Sequence, residues 1–134
     1  MSLISPGIRS LLSANFEHCL RNPRFDPLPL VRLFNPTGRA VWLASELYAD
    51  GDTLYGLADL GFGSPELAIF SLSEIEAISL PLGMRIASDL VFTTRHRLSI
   101  WAEASRLAGS ILDAALLLDR LTREDPAAIK LLPR

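Results

Sequence analysis

The first apolar positions of the chain recur every three or four residues between residues 8 and 20, with polar residues between them. This repeat is typical of an amphipathic helix that buries one face. Ser5 is a favourable N-cap residue and Pro6 suits the first helical position, whereas Asn22 followed by Pro23 ends a helix. The pattern therefore predicts an N-terminal helix over about residues 5–21.

From residue 30 onward the apolar residues form short runs that are separated by turn residues. The turns between the first three runs are rich in Asn, Pro, Gly and Asp, which favours an antiparallel meander. Ser71 followed by Glu74 is a capping box, so we expect a short middle helix after the fourth run. The runs predict five strands, at residues 30–34, 39–48, 53–60, 66–70 and 85–93.

Helical spacing returns over about residues 98–123, where Gly109 leaves open whether there is one helix or two. Leu116 to Leu118 make the end of this region apolar nearly all round. Such a helix must be covered on more than one side, either between the sheet and the first helix or in a homodimer. We expect a frayed tail at residues 125–134. The whole chain, residues 1–134, is predicted to be one α+β domain with an antiparallel sheet and helices packed on one face.

Composition narrows the class of protein. The chain has 134 residues, of which 49% are hydrophobic, and this suffices for one domain with its own core. A net charge of −2 argues against a general polyanion binder. Cys19 is the only cysteine, so no intrachain disulfide or cysteine-based zinc site is possible. With no secretory signal and no apolar stretch long enough for a membrane helix, we expect a cytoplasmic protein.

Acidic residues are the first candidates for chemistry, because paired carboxylates can hold magnesium or transfer protons. Glu46, Asp59 and Glu66 are predicted to converge near one end of the sheet. The structural alternative is that Asp59 points toward a covered surface and accepts hydrogen bonds from the amides of Gly61 to Gly63. No lysine, histidine or cysteine stands at the spacing of the usual nuclease, zinc or triad designs. We therefore predict no catalytic residues, no cofactor and no metal site.

Two further groups are candidates for binding. Phe62 lies at the tip of a glycine-rich loop, where an exposed ring would suit a partner or a stacked base, although it can also pack back onto the domain. Arg95, His96 and Arg97 lie close to Trp101 in sequence. They are interpreted either as a small site for nucleic acid or an acidic protein, or as a solvated loop.

Three segments carry a resemblance to a known family: VRLFNP at residues 31–36, WLASEL at residues 42–47 and YGLADLGFGSPEL at residues 55–67. They resemble an uncharacterised bacterial domain family that is common on conjugative plasmids and other mobile elements. The resemblance covers about residues 28–105 and leaves the first helix and the residues from Ile111 onward outside. Ala68 stands where the family often has glycine. Some members are labelled single-stranded DNA endonuclease.

What the resemblance implies is a small non-enzymatic binding or accessory protein of a mobile element. Its sharpest form is an anti-defence inhibitor that binds a host nuclease or effector complex, such as a CRISPR complex. The alternative is an accessory protein on single-stranded DNA in conjugation or replication, using Arg95, Arg97 and an exposed aromatic ring. A weaker alternative is a metal-dependent nuclease at Asp59 and Glu66. The expected partner is a protein, a homodimer through the C-terminal helix is possible, nucleic acid is not favoured, and no membrane is involved.

Overall fold

The computed structural model describes residues 2–124, and the predicted frayed tail at residues 125–134 lies outside this range. A single 3₁₀ turn (Pro81–Gly83) precedes the last strand. The helices and strands are, in chain order, α1 (Pro6–Arg21), β1 (Val31–Phe34), β2 (Val41–Leu47), β3 (Thr53–Asp59), β4 (Glu66–Ser71), α2 (Leu72–Glu76), β5 (Ala87–Ser88), α3 (Leu98–Ala108) and α4 (Ile111–Glu124).

The strands form one antiparallel sheet of five strands in the order β4-β3-β2-β1-β5. The predicted α+β class and the meander of the first strands are confirmed. β2 is the central strand, and all seven of its residues are buried. A bulge between Ala44 and Glu46 shifts the pairing of β2 with β3. Next to this bulge, where Gly56 of β3 pairs with Ala44, a Cβ on Gly56 would lie 1.8 Å from the Leu43 carbonyl oxygen, so only glycine fits there.

Helices cover both faces of the sheet, and the predicted packing on one face is wrong. On the first face, Leu12 of α1 packs with Trp42 and Ala44 in one core cluster. On the opposite face, Leu43 packs with Trp101 of α3, in a second cluster that also contains residues of α4. The physical reason is that β2 is apolar or small on both of its alternating sides, so each side must be buried. α4 therefore packs beside α3 and does not lie between the sheet and α1.

The predicted capping residues at the starts of α1 and α2 are confirmed. Ser5 Oγ accepts a hydrogen bond from Ile8 N at the start of α1, and Ser71 Oγ accepts one from Glu74 N at the start of α2. Gly109 adopts φ +90°, a left-handed conformation that ends α3 and separates it from α4. No helix within residues 2–124 has the length and apolar character to span a bilayer.

The fifth strand is much shorter than the predicted 85–93. It pairs with β1 only through Leu33 with Ser88 and Phe34 with Ala87. Asp89 then turns the chain, because its Oδ1 accepts a hydrogen bond from Val91 N. β5 does lie at an edge of the sheet, as predicted, but this edge is only two residues long.

Candidate functional site

Asp59 lies at the end of β3 and is almost completely buried, with 1% of its surface exposed. Its Oδ1 accepts a hydrogen bond of 2.9 Å from Gly61 N, and its Oδ2 accepts one of 2.9 Å from Ile111 N. Ile111 is the first residue of α4, so the carboxylate lies at the positive end of that helix. Both oxygens of Asp59 therefore hold backbone together, which is the structural role that the sequence offered as the alternative.

Glu66 and Phe62 are at the same end of the sheet as Asp59, and both are exposed. Glu66 pairs with Ala58 at the start of β4, next to the strand end that carries Asp59. Phe62 is 85% exposed at the tip of the loop between β3 and β4. The ring does not pack back onto the domain, so of the two interpretations the structure supports a surface available for contact.

Glu46 lies at the other end of β2, where it pairs with Tyr55, whereas Asp59 pairs with Val41. The predicted convergence of Glu46 with Asp59 and Glu66 is wrong, because antiparallel register carries the two ends of β2 apart. Glu46 is buried, and its burial raises the pKa of its carboxyl group, although a hydrogen bond with Cys19 acts in the opposite direction. Burial, with the nearby charge of Glu46, raises the pKa of the Cys19 thiol to about 11.

The surroundings of Glu46 contain residues that the sequence did not single out. A recess of about 410 Å³ is lined by Glu46, Cys19, Tyr55 and Asp26, together with Ser99 at the start of α3. Asp26 Oδ1 accepts a hydrogen bond of 3.2 Å from Ser99 N, and Asp26 Oδ2 accepts one from the Ser99 hydroxyl. Asp26 therefore anchors the start of α3, and only the Asp26-Pro27 pair in the connector could have indicated this from the sequence.

Arg95, His96 and Trp101 come together at a cavity of about 680 Å³ between the sheet, α3, α4 and the loop of residues 89–96. Trp101 is buried, and its indole Nε1–H donates a hydrogen bond of 3.0 Å to Thr94 Oγ1. His96 Nε2 lies 3.4 Å from Thr122 Oγ1 of α4. Burial and, to a lesser degree, the charge of Arg95 lower the pKa of His96 below its ordinary value.

Arg97 is separated from this group. It precedes α3 and borders a different groove, together with Leu11 and Asn15 of α1. The predicted cluster is thus reduced to Arg95, His96 and Trp101.

The outer edge of β4 is a feature that the sequence reasoning missed. β4 ends the sheet, and within the described residues no strand pairs with its outer side. Leu67 and Ile69 pair with Leu57 and Tyr55 of β3 and remain 43% and 61% exposed. The alternation of apolar residues in Glu66–Ser71 predicted the strand, but the sequence does not show that its apolar side is left uncovered.

In residues 2–124, no group of three or more His, Cys, Asp or Glu side chains is arranged to hold a metal ion. Asp59 and Glu66, the candidates for a carboxylate pair, differ in environment: Asp59 is buried and bonded to two amides, and Glu66 is exposed.

Comparison with known proteins gives one match. The chain matches, over residues 3–112, the family described as a protein of unknown function, DUF2958. No curated protein and no solved structure matches the chain. The chain therefore belongs to this uncharacterised family. The match includes α1, so the expectation that the first helix lies outside the family domain is wrong, whereas nearly all of α4 does lie outside it.

Proposed function

We propose that this member of the DUF2958 family acts by binding another protein, which adds an extended segment to the outer edge of β4. One observation carries the proposal. The edge is six residues long, no strand of the described chain pairs with it, and its apolar side chains Leu67 and Ile69 face solvent.

Exposed sheet edges are normally protected by short length, proline or charge, because they otherwise pair with other chains. The opposite edge of this sheet is protected by length, since β5 has only two residues. β4 has none of these protections apart from Glu66 at its start. An unprotected edge in a stable domain is consistent with strand addition, in which main-chain hydrogen bonds provide affinity and side-chain contacts provide specificity.

The side chains around the edge supply an apolar contact surface of the kind that partners use. Leu67 and Ile69 pair with Leu57 and Tyr55 of β3 and remain exposed at the edge of the sheet, and Leu60 and Phe62 are exposed in the adjoining loop. Aromatic and aliphatic anchors of this kind often account for most of the binding energy at protein interfaces. The surface is defined here as the β4 surface and consists of Leu60, Phe62, Leu67 and Ile69.

The sharpest form of the proposal is an anti-defence inhibitor of a mobile element, whose partner is a host nuclease or effector complex. Its support is the resemblance of residues 31–67 to a family that is common on such elements, together with an acidic chain and a contact surface made of apolar side chains. An inhibitor of this kind needs no chemistry of its own, because occupying the partner's surface is enough. We infer that the cytoplasm, where such complexes act, is its compartment.

A role on single-stranded DNA has less support from the geometry. Arg95 and Arg97 border different grooves, so they do not form one basic surface. The Trp101 ring is buried and its N–H is bonded to Thr94, so the ring is not available to stack on a base. Binding of single-stranded DNA is therefore tested as the competing outcome.

The test uses two variants of similar exposure on different surfaces. Ile69→Lys places a charge on the β4 surface, whereas Leu116→Lys places one on α4, where Leu116 is 69% exposed. A partner captured from a host that carries a defence system is purified, and its affinity for each variant is measured. We expect Ile69→Lys to weaken binding by roughly 30-fold or more, as for an interface hot spot, and Leu116→Lys to leave it unchanged.

Other results would reject the proposal. Equal binding by Ile69→Lys would place the partner elsewhere, and a larger effect of Leu116→Lys would support the α4 surface and the homodimer. A salt-dependent shift of labelled single-stranded DNA that Arg95→Gln abolishes would favour the accessory role. For the anti-defence form, expression of the chain should raise the survival of a targeted plasmid, and Ile69→Lys should remove the effect.

A further inference from the structure

The cavity beside Trp101 has two kinds of wall. Its floor is apolar and is formed by Leu43 of the sheet, Trp101 of α3, and Ile111 and Leu118 of α4. Its mouth is polar and includes the side chains of Arg32, Arg95 and His96. A volume of about 680 Å³ is in the range of sites for small organic ligands, which combine an apolar lining with a few placed polar groups.

The charges at the mouth are not balanced. Asp89 also lines the cavity, but it lies 3.6 Å from the Arg32 guanidinium and pairs with it. Asp119, the other acidic residue of the lining, pairs with Arg123. For Arg95, no carboxylate of the described residues lies within ion-pair distance. The mouth therefore carries one positive charge that no described residue neutralises.

The hydroxyl group of Thr94 supplies a hydrogen-bond donor on the same loop as the positive charge of Arg95. Its Oγ1 accepts hydrogen bonds from Trp101 Nε1 at 3.0 Å and from His96 N at 3.1 Å. Because both acceptor positions of this oxygen are used, its own proton is left to donate. A guanidinium group and a hydroxyl proton on the same loop are suited to a ligand that presents acceptor oxygens.

We infer that this cavity binds a small organic anion that has a flat apolar ring and one carboxylate, phosphate or sulfonate group. The ring lies against the apolar lining of the cavity, and the anionic group lies at the mouth beside Arg95 and Thr94. This site is separate from the β4 surface, and the inference goes beyond the proposed function and does not depend on it.

The test uses a matched pair of fluorescent probes, anilinonaphthalene sulfonate and phenylnaphthylamine, which differ in the anionic group. We expect saturable binding of the sulfonate at one site per chain and clearly weaker binding of the neutral probe. Arg95→Gln should weaken binding of the sulfonate roughly tenfold, the loss expected for a hydrogen bond to a charged group. Arg97→Gln is the matched control and should leave binding unchanged, because Arg97 does not line the cavity.

A second pair of variants tests the place of binding without touching a charge. Ala115 of α4 lines the cavity and is exposed, so Ala115→Trp should block the mouth while leaving the packing of α4 intact. Leu116→Trp adds the same ring one residue further along, away from the cavity, and should have no effect. Equal affinity for both probes, or binding that survives Ala115→Trp, would overturn the inference.

Competition then identifies the source of the anion. Displacement of the sulfonate by adenosine monophosphate would point to a phosphate ligand, and displacement by naphthoate would point to a carboxylate ligand. Failure of both to displace the probe at millimolar concentrations would show binding of the dye alone and would reject the site.

Discussion

Two neighbouring parts of the molecule reverse the usual distribution of polar and apolar residues. At the end of β3, the carboxylate of Asp59 is buried. On β4, the adjacent strand, Leu67 and Ile69 are exposed. The buried acid is explained completely by the fold, because both of its oxygens accept backbone hydrogen bonds. Nothing within the described chain explains the exposed apolar residues, and this difference is the reason that β4 is the proposed binding surface.

The largest expected effect is the loss of stability on removing the Asp59 carboxylate. Asp59→Ala leaves the buried amides of Gly61 and Ile111 without acceptors, and we expect a decrease of about 2–4 kcal/mol in the free energy of unfolding. Urea denaturation measures it, with Glu66→Ala as the exposed control, which should change stability by less than about 0.5 kcal/mol.

A role of Asp59 in function would remove the contrast between the buried acid and the exposed strand. A folded, stable Asp59→Ala protein that has lost partner binding, or that has lost a magnesium-dependent cleavage activity of the wild-type chain, would make Asp59 a functional residue. Ile69→Lys should behave in the opposite way to Asp59→Ala, because it should leave the free energy of unfolding unchanged and weaken binding of the partner.

A smaller effect is expected at Glu46, a buried acid that lacks the two amide donors of Asp59. Because burial raises the pKa of Glu46, the fold favours its neutral form, and the stability that this group contributes is lost as pH rises through the folded pKa. Glu46→Gln removes the cost of burying a charged carboxylate, so we expect the free energy of unfolding at neutral pH to rise by on the order of 1 kcal/mol.

The pH dependence distinguishes this explanation from a simple packing effect. The advantage of Glu46→Gln should shrink as pH falls toward the ordinary value of a glutamate, where the wild-type side chain is also neutral. A gain that is the same at all pH values, measured by urea denaturation, would contradict it. Glu66→Gln, on the exposed acid, should produce no gain.

Much of the fold could be predicted from local signals, and the reasons for the failures are specific. Ser5 and Ser71 mark helix starts by their own chemistry, so these two boundaries were predicted, whereas Gly109 left open one helix or two until its left-handed φ showed that α3 ends there. The coverage of both sheet faces could have been read from β2, whose run Val41–Leu47 shows no polar alternation apart from Ser45 and Glu46. The length of β5 could not be predicted, because the apolar residues after Ser88 include side chains that the structure leaves exposed.

The candidate sites depended more on tertiary structure. The hydrogen bond from Gly61 to Asp59 is local, and the sequence predicted it, whereas the bond from Ile111 spans 52 residues and could not be predicted. The separation of Glu46 from Asp59 depends on strand register and on the bulge after Ala44. The cavity at Arg95 is formed by four separate parts of the chain, so a local pattern cannot reveal it.

The smallest expected effect is at His96, whose pKa is lowered by burial and then by Arg95. As pH falls through the ordinary histidine range, the unfolded chain takes up a proton before the folded chain does, so the stability that His96 contributes is lost toward low pH. His96→Gln should therefore flatten the fall in stability between neutral and mildly acidic pH. Besides Arg95, the charged residues that line the same cavity are Arg32, Asp89 and Asp119.

Arg95→Gln removes the second cause of this shift and should flatten the same pH dependence in part. Thermal unfolding followed at several pH values measures both variants. If the slope in both is that of the wild type, His96 is not held neutral by the fold, and the description of its surroundings in the cavity beside Trp101 would be wrong.

The most direct test of the central claim, that β4 is the partner-binding edge, is hydrogen–deuterium exchange across the chain with and without the captured partner. We expect the backbone amides of residues 66–71 to gain protection on binding, more than those of any other segment, and those of α4 to gain none. Unchanged exchange at β4, with protection appearing on α4 or around Arg95, would contradict it.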